Sequence, residues 1–268
     1  MAVPNEYNIT GKLMGLGPNV LLEVLSQMKL VFDTQQFLGV NKKTFALKEH
    51  QRFGKIIESL NYSFDIMNPE YKEVTSEENF DGKVIIRKNF QGETSNCISQ
   101  DLENGIWVIE AEFKNLHLER QYSIPTLGIV DASYNFPKSS DPSVSPQIQH
   151  NARFRSDGFV VCKGRNQYGN QRFDDNKLIK LELDCGKGTL TLFIDGVQQP
   201  IIISGIKEKV HFFDSYCTVH SLKRLTTPSG EHTSQEITLD WNYVQPVSYL
   251  PGWGYPMGRE VIIRRRRR

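Results

Sequence analysis

Two neighbouring segments with alternating side-chain character constrain this chain most. Residues 178–183 and residues 189–194 alternate apolar with polar or smaller residues, and the loop 185–188 between them carries two glycines. Such alternation places apolar side chains on one face of a strand, and a short glycine-bearing loop closes a hairpin. The pair Asp195-Gly196 then indicates a second tight turn. The chain is therefore predicted to contain consecutive antiparallel strands in this region.

Short apolar segments bounded by Gly, Asn, Asp or Pro recur from residue 82 onward. Many short strands without a long helix between them are typical of an antiparallel sandwich. The sequence therefore predicts a mainly β chain, with two antiparallel sheets packed face to face and a small helical segment at the N-terminal side. The predicted strands are 84–86, 107–113, 127–130, 159–161, 178–183, 189–194, 200–203, 210–213 and 218–222.

The apolar residues before residue 80 follow a helical period instead. Val20, Leu21, Val24, Leu25 and Met28 form one stripe behind the start signal Gly17-Pro18. Two shorter helical stretches follow, one from about Asp33 and one over 49–60. Three short helices make a very small core, which would gain from burying its remaining apolar face on a partner.

The period changes and the turn residues divide the chain into five parts. An arm (1–13) precedes the helical segment (14–60), a linker (61–80) leads into the sandwich (81–226), and a tail (227–268) follows. The tail contains repeated prolines and glycines, so we expect it to be flexible.

The charge of the chain is nearly balanced. Its 32 basic and 31 acidic residues give +1, but five of the basic residues are the terminal run Arg264–Arg268, and the remainder is 27 minus 31, or −4. A mildly acidic body lacks the clustered cations that bind phosphates, so nucleic acid is expected to bind only nonspecifically, through the arginine run.

Several sequence patterns that indicate membrane partners, metals or cofactors are absent. No 18-residue apolar stretch and no signal-peptide pattern occurs, which predicts no membrane partner and an intracellular protein, cytoplasmic or nuclear. Four separated cysteines without a C-x-x-C pair favour reduced, mostly buried thiols. Six histidines show no metal-ligand spacing, and no phosphate-binding loop occurs, so no cofactor and no metal site are predicted.

Three segments of the β region carry a family resemblance. The strand 105–113 with its leading glycine and Trp107, the short strand 127–130, and the hairpin 179–196 ending in Asp195-Gly196 follow one another in the order seen in SPRY domains. The chain thus resembles that family over about residues 80 to 226. The resemblance implies a concanavalin-like sandwich that binds another protein through its loops.

Four residues are candidates for contact with that protein. The segment 164–170 contains glycines but leads into no helix, and it is interpreted as a loop. Tyrosine and arginine make good interface anchors. The candidate partner-binding residues are Tyr134, Phe136, Arg165 and Tyr168.

The helical segment resembles the F-box pattern. Residues 16–28 give a Leu-x-Pro start and a leucine-rich helix, Asp33 follows, and residues 40–45 give a Val-x-Lys-x-aromatic close. The resemblance implies docking on the adaptor subunit of a cullin-type ubiquitin ligase. The alternative is that the same residues form the inner face of a helical cap on the sandwich. The residues of this face are Leu16, Pro18, Leu21, Leu22, Leu25 and Val40.

An enzymatic alternative depends on two pairs of acids. Glu110 and Glu112 share one face of a strand, as do Glu182 and Asp184, and glycosidases need two carboxylates facing one groove. The next residue on the Glu112 face is Lys114, so no third acid is supplied, and charges on a solvated sheet face explain the pattern equally. We predict a non-enzymatic protein-recognition module, with a carbohydrate-binding or glycoside-hydrolase-like sandwich as the alternative.

Overall fold

The computed structural model of the chain describes residues 15–62, 64, 67, 95–113, 124–135, 141–215, 217–229 and 237–242, and the backbone alone at 74–79, 82–87 and 218. The chain is mainly β, with two six-stranded sheets, as the sequence predicts. Of the candidate residues, Phe136 lies outside the described residues, as do the arginine run and the predicted arm.

The first sheet is antiparallel throughout. Its central strands are joined in register, for example Gly128 opposite Phe213 on one side and opposite Arg153 on the other. In spatial order the strands are β3 (Asn96–Cys97), β12 (Val210–Ser215), β5 (Thr126–Asp131), β6 (Asn151–Arg155), β7 (Phe159–Cys162) and β8 (Arg165–Tyr168).

The second sheet contains the predicted hairpin, with Leu183 opposite Leu190. All its neighbours are antiparallel except the last pair, β11 and β14, which is parallel. In spatial order the strands are β13 (Cys217–Leu225), β4 (Ile106–Phe113), β9 (Leu178–Asp184), β10 (Thr189–Ile194), β11 (Val197–Ser204) and β14 (Ile237–Asp240). A separate antiparallel hairpin joins β1 (Val74–Asn79) to β2 (Gly82–Arg87).

The main core lies between the two six-stranded sheets. Apolar residues at alternate positions of most strands point inward and pack against the opposite sheet, whereas β3 and β8 contribute none. The predicted inward set is fully or almost fully buried, which confirms the register. It comprises Trp107, Ile109, Leu127, Ile129, Leu181, Leu183, Leu190, Leu192 and Ile194.

The central position of Leu192 gives a direct test of this core. Replacing Leu192 by alanine is expected to lower the free energy of unfolding by about 3 kcal/mol, because the removed methyl groups leave a cavity between packed sheets. Urea denaturation measures the change. Val197→Ala is the control, since this side chain is 62% exposed and should shift stability by less than about 0.5 kcal/mol. An equally small loss for Leu192→Ala would contradict the register.

Five described strands differ from the sequence prediction, among them β1 and β3, which the sequence does not predict. The sequence does not predict β6, which has only two apolar residues, Ala152 and Phe154, and it predicts a loop at β8. β14 lies within the segment predicted to be a flexible tail, and that interpretation is wrong at residues 237–242. Trp241, directly after β14, is fully buried in the main core. Pairing of β14 with β11 and burial of Leu239 and Trp241 therefore offset the local loop character of the surrounding sequence.

The helical segment forms its own small core. α1 (Pro18–Ser26), α2 (Val31–Gly39), α3 (Lys42–Phe45), the 3-10 turn Ala46–Glu49 and α4 (Phe53–Glu58) surround it. The side chains of this core are Leu21, Leu22, Leu25, Leu38, Leu47 and Ile56. We refer to residues 15–62 as the helical unit.

This packing corrects the predicted docking face. Leu21, Leu22 and Leu25 are fully buried among the helices, so they face neither an adaptor nor the sandwich. Of the other three residues, Leu16 is half-buried, Pro18 is exposed and Val40 is 58% exposed. The helical period located the stripe correctly, but it does not specify which neighbour covers the stripe.

The helical unit contacts the edge of the second sheet. The Tyr62 amide donates to the Leu222 carbonyl of β13 (2.7 Å), and the Tyr62 ring meets Trp107 edge-on with centroids 4.8 Å apart. Glu58 accepts from the Thr226 amide (3.1 Å). Phe64 is buried in the main core. Residues 62 and 64 of the predicted linker are therefore packed against the sandwich.

Candidate protein-recognition face

The outer face of the first sheet carries the candidate residues Tyr134 and Tyr168 and several unpredicted ones. Ala152 and Phe154 of β6 point into the core, so Arg153 and Arg155 point outward. On β7, Val160 and Cys162 point inward and Phe159 points outward. Tyr168 of β8 lies opposite Phe159, and its side chain is 53% exposed.

Arg155, Asp157, Phe159 and Tyr168 form one contiguous group, which we call the aromatic face. The Arg155 guanidinium binds both carboxylate oxygens of Asp157, from Nε to Oδ1 at 3.1 Å and from Nη2 to Oδ2 at 2.6 Å. The guanidinium carbon lies 5.4 Å from the Phe159 ring centroid, and the Phe159 and Tyr168 centroids are 5.0 Å apart. The bidentate ion pair and the ring contact hold the side chains of the aromatic face in place.

The turn between β6 and β7 positions this group. Gly158 has a φ of +88°, and a Cβ at this position would lie 2.6 Å from the Asn170 carbonyl oxygen. Glycine is required there because an L side chain would strain the turn and clash with the chain that follows β8. The close approach of the Gly158 turn to the backbone of Asn170 brings Tyr168 beside Phe159.

Tyr134 lies elsewhere on the same outer face. Its ring stacks on His150, with centroids 4.0 Å apart and an interplanar angle of 4°. The half-buried tyrosine packs on a cluster of Cys97, Val130 and Phe213. Tyr134 therefore mainly shields the outer face of the sheet from solvent and is less suited to be an exposed interface anchor.

Arg165 and Tyr168 do not share a surface. Arg165 lies opposite Cys162, which points inward, whereas Tyr168 lies opposite Phe159, which points outward. Their separation by three residues puts them on opposite sides of β8, because side chains alternate along a strand. Residues 165–168 form a strand and not the predicted loop, and only Tyr168 of this pair belongs to the aromatic face, while a contribution of Arg165 to binding stays a prediction.

A buried arginine that was not predicted holds a covering segment on the sheet. Arg153 is only 2% exposed, and its guanidinium donates to the Pro142 carbonyl, to Asn151 Oδ1 and to Ser143 Oγ. Asn151 also donates to the carbonyls of Pro142 (2.9 Å) and Gln147 (2.7 Å). Residues 142–147 thus cover the middle of the outer face, between Tyr134 and the aromatic face.

The first acid pair of the enzymatic alternative, Glu110 and Glu112, contacts side chains of the neighbouring strand β13. Glu110 accepts from Ser221 Oγ (2.6 Å) and Lys223 Nζ (3.0 Å), and Glu112 Oε2 lies 3.2 Å from His220 Nε2. Burial favours a raised Glu110 pKa, but these two hydrogen bonds and the positive charges of Lys223 and Lys180 together lower the pKa below its usual value. A glycosidase general acid needs the opposite shift.

The second acid pair borders a very small cavity. Both carboxylate oxygens of Glu182 accept from the Ser229 amide, at 3.0 and 3.2 Å, and Asp184 accepts from the Lys187 amide at 3.0 Å. The cavity beside these acids has a volume of about 10 Å³. This is about the space of one water molecule, so a sugar ring does not fit there.

The cysteines are free thiols, and three of them are unreactive at neutral pH. Burial raises the pKa of Cys97 and of Cys162 to about 12, and that of Cys185 to about 11. A thiolate is the reactive form of cysteine, so these groups are not nucleophiles near pH 7.

The described residues lack two kinds of feature. Within them, no group of three or more His, Cys, Asp or Glu side chains is arranged to hold a metal ion. None of the described helices is long and apolar enough to cross a membrane.

Comparison with known proteins gives structural similarity only. No protein-family model and no curated protein matches the sequence. The SPRY domain of human HERC1 has a TM-score of 0.44 at 11% identity, covering 62% of this chain and 100% of that domain. The PSpry domain of TRIM65 has 0.43 at 13%, covering 60% of this chain and 91% of that one.

A carbohydrate-binding module is also similar. The module CBM66 from Bacillus subtilis has a TM-score of 0.34 at 11% identity, covering 61% of this chain and 94% of that one. All three TM-scores lie below 0.5, so the fold is described from this chain's own strand order and register.

Proposed function

We propose that this chain is a non-enzymatic, SPRY-type recognition protein that binds another protein through the aromatic face. The observation that carries the proposal is the exposed Tyr168 ring, held against Phe159 beside the Arg155 guanidinium. Tyrosine and arginine dominate the energetics of protein interfaces. They contribute most when their conformations are fixed before binding, because less side-chain entropy is then lost.

The position of the aromatic face on strands supports the proposal. Arg155, Phe159 and Tyr168 lie at strand ends of a buried sheet, so the backbone beneath them is rigid. The carbohydrate alternative lacks comparable support, since the acids near Glu182 border a cavity of about 10 Å³.

The proposal is tested by affinity capture with the full chain, followed by mass spectrometry and measurement of the affinity for each captured protein. Tyr168→Ala is expected to weaken binding of the recognised protein at least about tenfold, as for an interface anchor. The control is Val197→Ala, an exposed apolar residue on the other sheet, which should retain full affinity. Equal affinity of the wild type and Tyr168→Ala for every captured protein would contradict the proposal.

The finer proposal is that the helical unit links the recognised protein to a ubiquitin ligase. After burial of the three leucines, this contact falls to Leu16, Pro18 and Val40. The ligase adaptor is then expected among the captured proteins, and Tyr168→Ala should not release it, because the helical unit does not contribute to the aromatic face. Absence of the adaptor would contradict this link without affecting recognition through Tyr168.

A further inference from the structure

The helical unit contains an open groove that its core borders but does not fill, and that lies apart from the aromatic face. The groove has a volume of about 320 Å³. One wall is a stripe of α2 formed by Val31, Thr34, Gln35 and Leu38, which follow the spacing i, i+3, i+4 and i+7. The groove therefore runs along α2 for about 10 Å, or two helical turns.

The opposite wall is largely aromatic and aliphatic. Phe45 and Lys48 contribute from α3 and the turn that follows, and Phe53 and Ile57 contribute from α4. Phe45 is 57% exposed, although its ring borders an apolar space. Tyr62 borders the groove beside the sandwich. The helical core of Leu21 and its neighbours is already closed without filling this space.

Among the described residues that line the groove, Lys48 is the only charged one. Its ammonium lies 4.0 Å from the Phe45 ring centroid, which fixes it at the groove wall. In the part of the chain that the structure describes, no carboxylate lies within ion-pair distance of it. The groove thus presents an apolar space of two helical turns with one available positive charge.

We propose that this groove binds an acidic amphipathic helix of another protein. Two apolar side chains of that helix, one turn apart, fill the space between α2 and Phe53, and an Asp or Glu on the same face pairs with Lys48. Recognition of an amphipathic helix by an apolar groove, with a charge pair setting its orientation, accounts for each lining feature. This surface is separate from the aromatic face and is independent of the function proposed above.

Two glycines provide a matched pair of blocking and control variants. Gly39 lines the groove, and a Cβ built there has no atom within 4 Å, so Gly39→Trp places an indole at that end of the groove. Gly54 of α4 is equally unobstructed but does not line the groove, and Gly54→Trp is the control. Both replace a helical glycine by a better helix former, so folding should be retained.

The probe is a display library of 16-residue helix-favouring peptides, selected against the full chain, with affinities measured by fluorescence polarisation. Enriched peptides should carry apolar residues at i and i+4 and an acid on that face. Gly39→Trp should weaken their binding more than about tenfold, Lys48→Glu about tenfold and Lys48→Met about threefold. Gly54→Trp and Tyr168→Ala should each remain within about twofold of the wild type.

Several results would overturn the inference. The selection could enrich no peptide, or it could enrich basic peptides. The enriched peptides could also bind Gly39→Trp as tightly as the wild type. Analytical ultracentrifugation supplies a further test. A dimer that Gly39→Trp converts to a monomer would show that the occupant is a second copy of this chain instead.

Discussion

Replacing Trp241 by alanine is expected to lower the free energy of unfolding by about 4 kcal/mol. The indole is fully buried between the sheets, and its Nε1 donates to Glu208 Oε2 at 2.8 Å. Lys163 Nζ lies 4.2 Å from the ring centroid, and the backbone amide of Trp241 donates to the Ser204 carbonyl at 2.8 Å. Large-to-small changes at such sites lose both the transfer free energy and the packing around the cavity.

Urea denaturation with two kinds of control tests this result. Trp241→Phe keeps most of the apolar ring and should cost less than half as much. A chain that ends at residue 236 lacks β14 and Trp241, so it should be at least as unstable as Trp241→Ala, whereas a chain that ends at residue 242 retains both. A loss below about 0.5 kcal/mol for Trp241→Ala would place the indole outside the core.

Replacing Gly128 by alanine is expected to have a still larger effect and to prevent stable folding. A Cβ at this position would lie 2.1 Å from the Ala152 carbonyl oxygen and 2.8 Å from Arg153 Cα. Both atoms belong to the backbone of β6, which is paired on both sides, so neither strand can move away locally. We expect a loss of more than about 4 kcal/mol, seen as low soluble yield and an early unfolding midpoint.

Gly186→Ala is the matched control for this variant. Its added Cβ would meet only the end of the Asp184 side chain, at 3.3 Å, in an exposed turn. Its stability should stay within about 1 kcal/mol of the wild type. If Gly128→Ala were equally tolerated, β5 and β6 would not pair as closely as described.

The sequence predicts the sandwich core well where inward apolar residues alternate with polar neighbours, as in β9. Leu181 and Leu183 opposite Leu192 and Leu190 illustrate this, since their period of two needs no information from distant residues. The outer face of β6 gives no such signal. Arg153 has the sequence character of a solvated residue, and only the segment 142–147, which covers it, makes it a buried one.

β14 could not be predicted for a different reason. It pairs in parallel with β11, so no hairpin turn precedes it, and its partner lies more than 30 residues earlier.

The candidate site was predicted only in part. Residue type singled out Tyr168, but the contribution of Arg155 and Phe159, and the separation of Arg165, depend on which side of each strand faces outward.

The contact between Tyr62 and Leu222 also has a consequence for biosynthesis. The two residues are 222 minus 62, or 160, positions apart. At about 5 to 20 residues per second, a ribosome needs about 8 to 32 s to add the strand on which the helices dock. During that interval the helices lack their docking partner, and the separate core of Leu21, Leu38 and Ile56 is what allows them to fold first. The Tyr62 amide can reach the Leu222 carbonyl only after β13 has emerged, so this contact forms late in synthesis.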